Sequence, residues 1–272
     1  MTGDPVFFVN AFTVGFYQGN VAAVVKLEDY PANARLLALA REFGWSETAF
    51  LKRMARNEYQ IRWFTPEVEV PLCGHATLAS AQCLFAGEEA NLEEIRFQSR
   101  SGVLSARKKG ASIELDFPAD PPHLATAEKA VLQALGPAYP SEALLAPATR
   151  NLVVVYPAPE LVLALRPDFA TLAGLEEAPY FGIAATARGN DQDYICRYFA
   201  PREGINEDPV TGSAQTFLAP YWAEKLQKKV LRGFQASARG GSFEVEVRQE
   251  RVLIRGRALI WLEGQISPKW RI

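Results

Sequence analysis

Polar and apolar residues change period often enough along the chain to mark out its elements. Stretches rich in alternating, β-branched or aromatic residues at 6–12, 47–52 and 58–64 read as strands. Residues 31–43 read as a helix. Pro31 sits near its start, Leu36, Leu37, Ala40 and Phe43 share a face, and Gly44 ends it. Gly74 opens a second helix over 75–85, closed by Gly87. Ala76, Leu78, Ala79, Ala81, Cys83, Leu84 and Phe85 make that helix small and apolar on every side. Such a helix is buried all round, as a sheet wrapped about it would bury it. Residues 213–225 repeat the device.

The repetition is wider than one helix. Asn57–Pro66 resembles Gln192–Pro201 at an offset of 135, which sets Tyr59 on Tyr194, Arg62 on Arg197 and Pro66 on Pro201. Pro71–Ala76 matches Pro209–Ala214 at an offset of 138, and Phe97-Gln98 matches Phe234-Gln235 at 137. Ordered matches of this kind predict a duplicated chain. Residues of about 7–117 and 145–260 should form like lobes. Each should run strand, helix, strand, strand, helix and then several strands, with buried helices starting at Gly74 and Gly212. The Pro-rich stretch Phe117–Pro122 reads as the hinge. It divides an N-terminal lobe, 1–118, from a C-terminal lobe, 119–272, whose last residues pack back on the first.

Charge narrows the partners. The formal net charge is −2, which offers no basic field for nucleic acid or an anionic membrane. The local run Lys225, Lys228, Lys229 and Arg232 reads as the solvated end of a helix. No apolar stretch reaches 18 residues, and the first residues lack the basic start and apolar run of a signal peptide. The three cysteines, Cys73, Cys83 and Cys196, suit reduced thiols in a cytoplasm better than a disulfide framework.

Chemistry gathers at three places. Both buried helices start at turns of small residues, Cys73-Gly74-His75 and Thr211-Gly212-Ser213. Glycine permits close approach, and helix N-termini favour anions, so the turns either hold a carboxylate or are simply tight turns. His75, just inside the first helix, is disfavoured there as a cation and is either a hydrogen-bond partner or an acid/base. Asp208, just before the second helix, either caps it or joins His75 across equivalent loops. Glu47 lies among apolar neighbours, and at an offset of 135 its counterpart is Gly182. A carboxylate present in one half only suggests a task, and shielding from water would suit it to reversible proton transfer; the alternative is an exposed surface glutamate. Cys73-x-His75 is not a zinc spacing, and no phosphate loop, dinucleotide fingerprint or nucleophile elbow occurs.

Ser46-Glu47-Thr48-Ala49-Phe50, Phe64-Thr65-Pro66, Cys73-Gly74-His75-Ala76-Thr77, Glu207–Ala214 and Arg239-Gly240-Gly241 together resemble the signatures of the PhzF-like family, over residues of about 7 to 264. The resemblance implies an α+β, diaminopimelate-epimerase-like fold: two pseudo-symmetric lobes, each a sheet wrapped around a central helix. It further implies a site between lobes, a homodimer, and an isomerase without metal or organic cofactor. Glu47 would move a proton between carbons of a small carboxylate-bearing substrate, and His75 and Asp208 would hold its polar groups. The turns at Cys73, Gly74, Thr211, Gly212 and Ser213 would hold its carboxylate. The chain departs from the family in two places. Gly19-Asn20-Val21 stands where Gly-Asn-Pro is usual, which touches backbone geometry. Thr211 stands where two-base epimerases carry a second cysteine, which excludes a two-thiol mechanism and makes Cys73 dispensable as a base. The rival expectation is a non-enzymatic small-molecule or protein-binding member of the same fold. A serine hydrolase using Ser213 is a third.

Overall fold

The first strand, β1 (Asp4–Ala11), pairs antiparallel with β2 (Asn20–Leu27), whose residues are almost all buried. In the computed structural model, which describes residues 3–13, 15–175 and 178–271, the chain divides into two units. Unit 1 comprises Met1–Asp116 and Arg255–Ile272, and unit 2 comprises Phe117–Ile254.

In unit 1, α1 (Asn33–Phe43) ends at Gly44 in the left-handed conformation, φ 67°, as its sequence predicts. β3 (Glu47–Ala55) then lies parallel to β2, β4 (Glu58–Phe64) antiparallel to β3, and the short β5 (Glu69–Val70) antiparallel to β4. The buried helix is α2 (Gly74–Ala86). After it, β6 (Glu94–Ser99) runs parallel to β4, and β7 (Gly102–Lys109) and β8 (Ser112–Pro118) follow as antiparallel neighbours. One face of the sheet packs on α1 through Phe50, Phe64, Leu36 and Leu39. The other packs on α2, which touches β1, β2, β3 and β7. Polar side chains of this apolar helix satisfy themselves locally: Thr77 donates to the Cys73 carbonyl at 2.6 Å and Ser80 to that of Ala76 at 2.7 Å.

Unit 2 opens with β9 (His123–Leu124), α3 (Lys129–Leu135), β10 (Glu142–Ala146) and β11 (Asn151–Val155). Two short helices, α4 (Pro159–Ala164) and α5 (Phe169–Ala173), stand where unit 1 has α1. β12 (Gly182–Arg188), β13 (Tyr194–Ala200), β14 (Ile205–Asp208) and α6 (Gln215–Leu226) come next, followed by β15 (Val230–Gln235), β16 (Gly241–Arg248) and β17 (Arg251–Gly256). The last strand, β18 (Ala258–Ile266), belongs to unit 1, where it pairs antiparallel with β1 and packs on α2. No helix among the described residues is long and apolar enough to cross a membrane.

The pairings of the two units correspond step for step. β2 and β3 are parallel, as are β11 and β12; β3 and β4 are antiparallel, as are β12 and β13; β4 and β6 are parallel, as are β13 and β15. Thr48 pairs with Phe64 and Ile183 with Phe199, so the offset of 135 holds in the hydrogen-bonded register as well as in the letters. A bidentate ion pair is also duplicated: Arg62 with Glu69, and Arg197 with Glu207.

Two expectations need correction. The second buried helix does not start at Gly212 or Ser213. Residues 212–214 form tight turns, with Gln215 N–H donating to the Gly212 carbonyl, and the α-helix begins at Gln215. The match of Phe97 to Phe234 is also one residue out. Tyr59 pairs with Phe97, but its counterpart Tyr194 pairs with Gly233. A Cβ on Gly233 would lie 2.2 Å from the ring of Phe243, which fills the space that Phe97 fills in unit 1. A slip of one residue turns every side chain of a strand to the opposite face. Hence Gln98 is exposed while Gln235 is fully buried.

Candidate active site

The site in unit 1 is assembled where β2, β3 and α2 begin. Gly19 adopts φ 73°, and a Cβ there would lie 2.2 Å from the Ala11 carbonyl oxygen, so the turn requires glycine. That turn delivers Asn20, only 1% exposed, to the head of β2. In the β2–β3 register Ala22 pairs with Glu47, which brings Ser46 and Glu47 alongside. Cys73 precedes α2 in an extended conformation, and His75 is the second helical residue.

These side chains meet around the His75 ring. Glu47 Oε2 is 3.2 Å from Nε2, and Ser46 Oγ is 3.4 Å from the same nitrogen. Asn20 Nδ2 is 3.1 Å from Nδ1, and Cys73 Sγ is 3.6 Å from it. Ser46 also donates to Asn20 Oδ1 at 3.1 Å. Glu47 Oε2 is shielded from solvent, and its approach to Nε2 lacks hydrogen-bond alignment, so among the described residues this oxygen has no hydrogen-bond partner. Glu47 is therefore a largely buried residue, its side chain 12% exposed, and not a surface glutamate.

Burial first, and then the Glu47 charge, push the Cys73 thiol pKa up, so this cysteine is held protonated. For His75, burial disfavours the charged ring, while negative charge on Cys73 and on Glu47 favours it and raises its pKa well above the ordinary 6.5. Cys73 is the larger of these two attractions and Glu47, at Nε2, the second, and the direction is the reverse of the expectation for a ring at a helix N-terminus.

Glu47, Cys73 and His75 offer three donor atoms within 4.8 Å of one another. The Cys73 sulfur lies nearest Nδ1 and the Glu47 carboxylate nearest Nε2, on opposite sides of the ring.

The second set lies in unit 2. Thr211 Oγ1 donates to Asp208 Oδ2 at 2.5 Å. Gln235 binds the same turn three times: it accepts from Thr211 N–H at 2.9 Å, and it donates to the Asp208 carbonyl at 2.7 Å and to Thr211 Oγ1 at 3.1 Å. Gly212 is buried and Ser213 half-buried beside this network. The expected residues thus fall into two groups: Glu47, Cys73, Gly74 and His75 in unit 1, and Asp208, Thr211, Gly212 and Ser213 in unit 2. Sequence reasoning missed Asn20, Ser46 and Gln235.

At the Glu47 position unit 2 is filled differently. A Cβ on Gly182 would lie 2.0 Å from the Tyr198 hydroxyl and 2.5 Å from Asn151 Oδ1, and that hydroxyl donates to Asn151 at 2.7 Å. Burial, and then the Asp208 charge, push the Tyr198 phenol pKa up and keep it protonated.

Comparison with known proteins places these features in a family. The model of the phenazine biosynthesis-like protein family matches residues 9–264. An uncharacterized isomerase of Pseudomonas aeruginosa is 45% identical over 262 residues, covering 96% of this chain and 98% of that protein. The mouse phenazine biosynthesis-like domain-containing protein 2 is 37% identical, covering 97% and 99%. The crystal structure of a PhzF-family phenazine biosynthesis protein from Enterococcus faecalis superposes with a TM-score of 0.92 at 39% identity, covering 97% of this chain and 99% of that one. A probable proline racemase from Agrobacterium radiobacter shares the fold, with a TM-score of 0.63 at 12% identity. The duplicated α+β architecture and these matches along nearly the full length establish that the chain belongs to the phenazine biosynthesis-like (PhzF) family.

Proposed function

We propose that this protein is an isomerase or epimerase that moves a proton between carbons of a small carboxylate-bearing substrate, with Glu47 as acid and base. The observation that carries the reading is the state of Glu47. Its Oε2 is shielded from water, lacks a hydrogen-bond partner among the described residues and lies 3.2 Å from His75. A carboxylate left with an open lone pair can accept a proton from a C–H bond beside a carboxylate or conjugated system. The bonding electrons pass into that system, and the same carboxyl group then delivers the proton to the second carbon. His75 and the N–H groups at the start of α2 stabilise the negative charge that develops on the substrate's oxygens. Asp208, fixed by Thr211 and Gln235, orients polar groups of the substrate, and the turn at Gly212 and Ser213 contributes to holding its carboxylate. The reaction needs neither metal nor organic cofactor. The related proteins named as isomerases support the reaction class.

Glu47→Gln tests the reading. It keeps the shape of the side chain and cannot accept the proton. Turnover should fall by roughly 10²–10⁴ while ligand affinity is kept. A variant with undiminished turnover would make His75 the base instead.

A further inference from the structure

The residue the mechanism does not use is Asn20, and its contacts give it a task. It is 1% exposed, stands at the head of β2 and reaches His75 Nδ1 at 3.1 Å. The Ser46 hydroxyl donates to its Oδ1 at 3.1 Å, which fixes the amide with its NH₂ group turned to the ring. The other neighbour of Nδ1 is the Cys73 sulfur, at 3.6 Å. That sulfur is also a donor, because the thiol is held protonated. Two donors therefore face Nδ1. At Nε2 the neighbours are Ser46 Oγ at 3.4 Å, which can accept, and the Glu47 carboxylate at 3.2 Å, whose charge favours a proton there although it is not aligned for a hydrogen bond. Among the described residues, Glu47 and Cys73 are the titratable groups facing the ring, one from β3 and one from the start of α2.

We propose that Asn20, braced by Ser46, is a positioning residue that makes Nδ1 of His75 the acceptor, so that the neutral ring keeps its proton on Nε2, beside Glu47. The proton lost when His75 deprotonates is then the one on Nδ1. The proton that remains lies next to the carboxylate proposed to do the chemistry, where it can be donated to a substrate oxygen. In its role for catalysis the inference rests on the proposed function; in its claim about the ring it does not. Asn20 has no like partner in unit 2. Ala22 and Asn151 occupy equivalent register positions, which sets Thr149 against Asn20, and Thr149 binds Asp120 instead.

The chain has only two histidines, so ¹⁵N NMR of histidine-labelled protein, with His123→Gln to leave one ring, reads His75 alone. On the alkaline side of its titration the wild-type ring should show the Nε2–H tautomer. Asn20→Asp keeps the shape and replaces the donor with an acceptor. It should hold the proton on Nδ1 and move the ring's titration upward by about a unit or more, as a new adjacent carboxylate does. Ser46→Ala, which frees the amide to turn, should give a mixture of tautomers. A wild-type ring protonated at Nδ1 when neutral would overturn the proposal. So would an Asn20→Asp ring, in protein shown to be folded by circular dichroism, with the wild-type tautomer. Should Asn20→Asp fail to fold, the wild-type tautomer and Ser46→Ala still decide. Loss of turnover in Glu47→Gln does not enter this test, so the two readings fail separately.

Discussion

At the first paired position of the parallel ladder, unit 1 sets Glu47 opposite Ala22, and unit 2 sets Gly182 opposite Asn151. Further along the chain the imbalance reverses. Val70 pairs with Trp63 in unit 1, and Asp208 pairs with Tyr198, the counterpart of Trp63, in unit 2. Each unit thus carries one acidic residue at a position where the other has an uncharged one. The shared features, such as the pairs Arg62–Glu69 and Arg197–Glu207, maintain the fold in both units. The unshared ones mark where duplication gave way to specialisation. Unit 1 keeps a carboxylate against a histidine, with one oxygen that has no hydrogen-bond partner among the described residues. Unit 2 fills the equivalent space with Tyr198 and Asn151 and ties its aspartate into hydrogen bonds with Thr211 and Gln235.

The comparison can be broken most sharply at its acids. Glu47→Gln should cost roughly two to four orders of magnitude in turnover, whereas Asp208→Asn, which keeps the Thr211 contact, should mainly raise KM. The next largest effect is on stability. Gly182→Ala drives a methyl group into the Tyr198 hydroxyl and should destabilise the fold by about 1–3 kcal/mol in urea titration, the range for overpacked cores. Glu47→Gly, the reverse exchange, removes no packed apolar group and should show no comparable clash.

Smaller effects follow from the ionisable groups. The folded pKa of His75 lies above its ordinary 6.5, so the folded state binds more protons than the unfolded one. Its contribution is complete below about pH 6.5 and declines as pH rises through the folded pKa. Thermal unfolding between pH 6 and 8, below the range in which the thiols titrate, should therefore show stability falling with pH. The slope should flatten in Glu47→Gln, which removes one of the two attractions. The smallest change expected is at Cys73. Its thiol is held protonated and its counterpart is Thr211, so Cys73→Ser should keep most activity. A loss beyond roughly a hundredfold, the scale of a missing acid/base group, would make the thiol the base.

Much of this arrangement is legible in the letters. The offset of 135 that aligns Tyr59 with Tyr194 also exposes Glu47 against Gly182, because strand register preserves spacing. The apolar circumference of α2 announces its burial. Two kinds of feature stay hidden. One is a contact made across many residues. Asn20 enters the sequence reading only through Gly19-Asn20-Val21, as a matter of backbone geometry, and nothing local shows that its amide reaches His75, 55 positions on. The other is a register slip. Phe-Gln recurs in both halves, but the second copy is displaced by one position, which buries Gln235 under the Asp208 turn and leaves Gln98 exposed. Similar letters mislead where a glycine, Gly233, lets another ring take the expected space.

Whether one carboxylate, Glu47, exchanges a proton with carbon can be measured directly. Wild-type protein is incubated in deuterated water with a panel of small amino, hydroxy and cyclic unsaturated acids, and loss of C–H signals is followed by proton NMR. Deuterium uptake is expected at a carbon beside the carboxylate or its conjugated system for at least one acid. With Glu47→Gln, uptake should be slower by roughly 10²–10⁴. Uptake by Glu47→Gln at the wild-type rate would contradict the assignment of Glu47 as the acid and base.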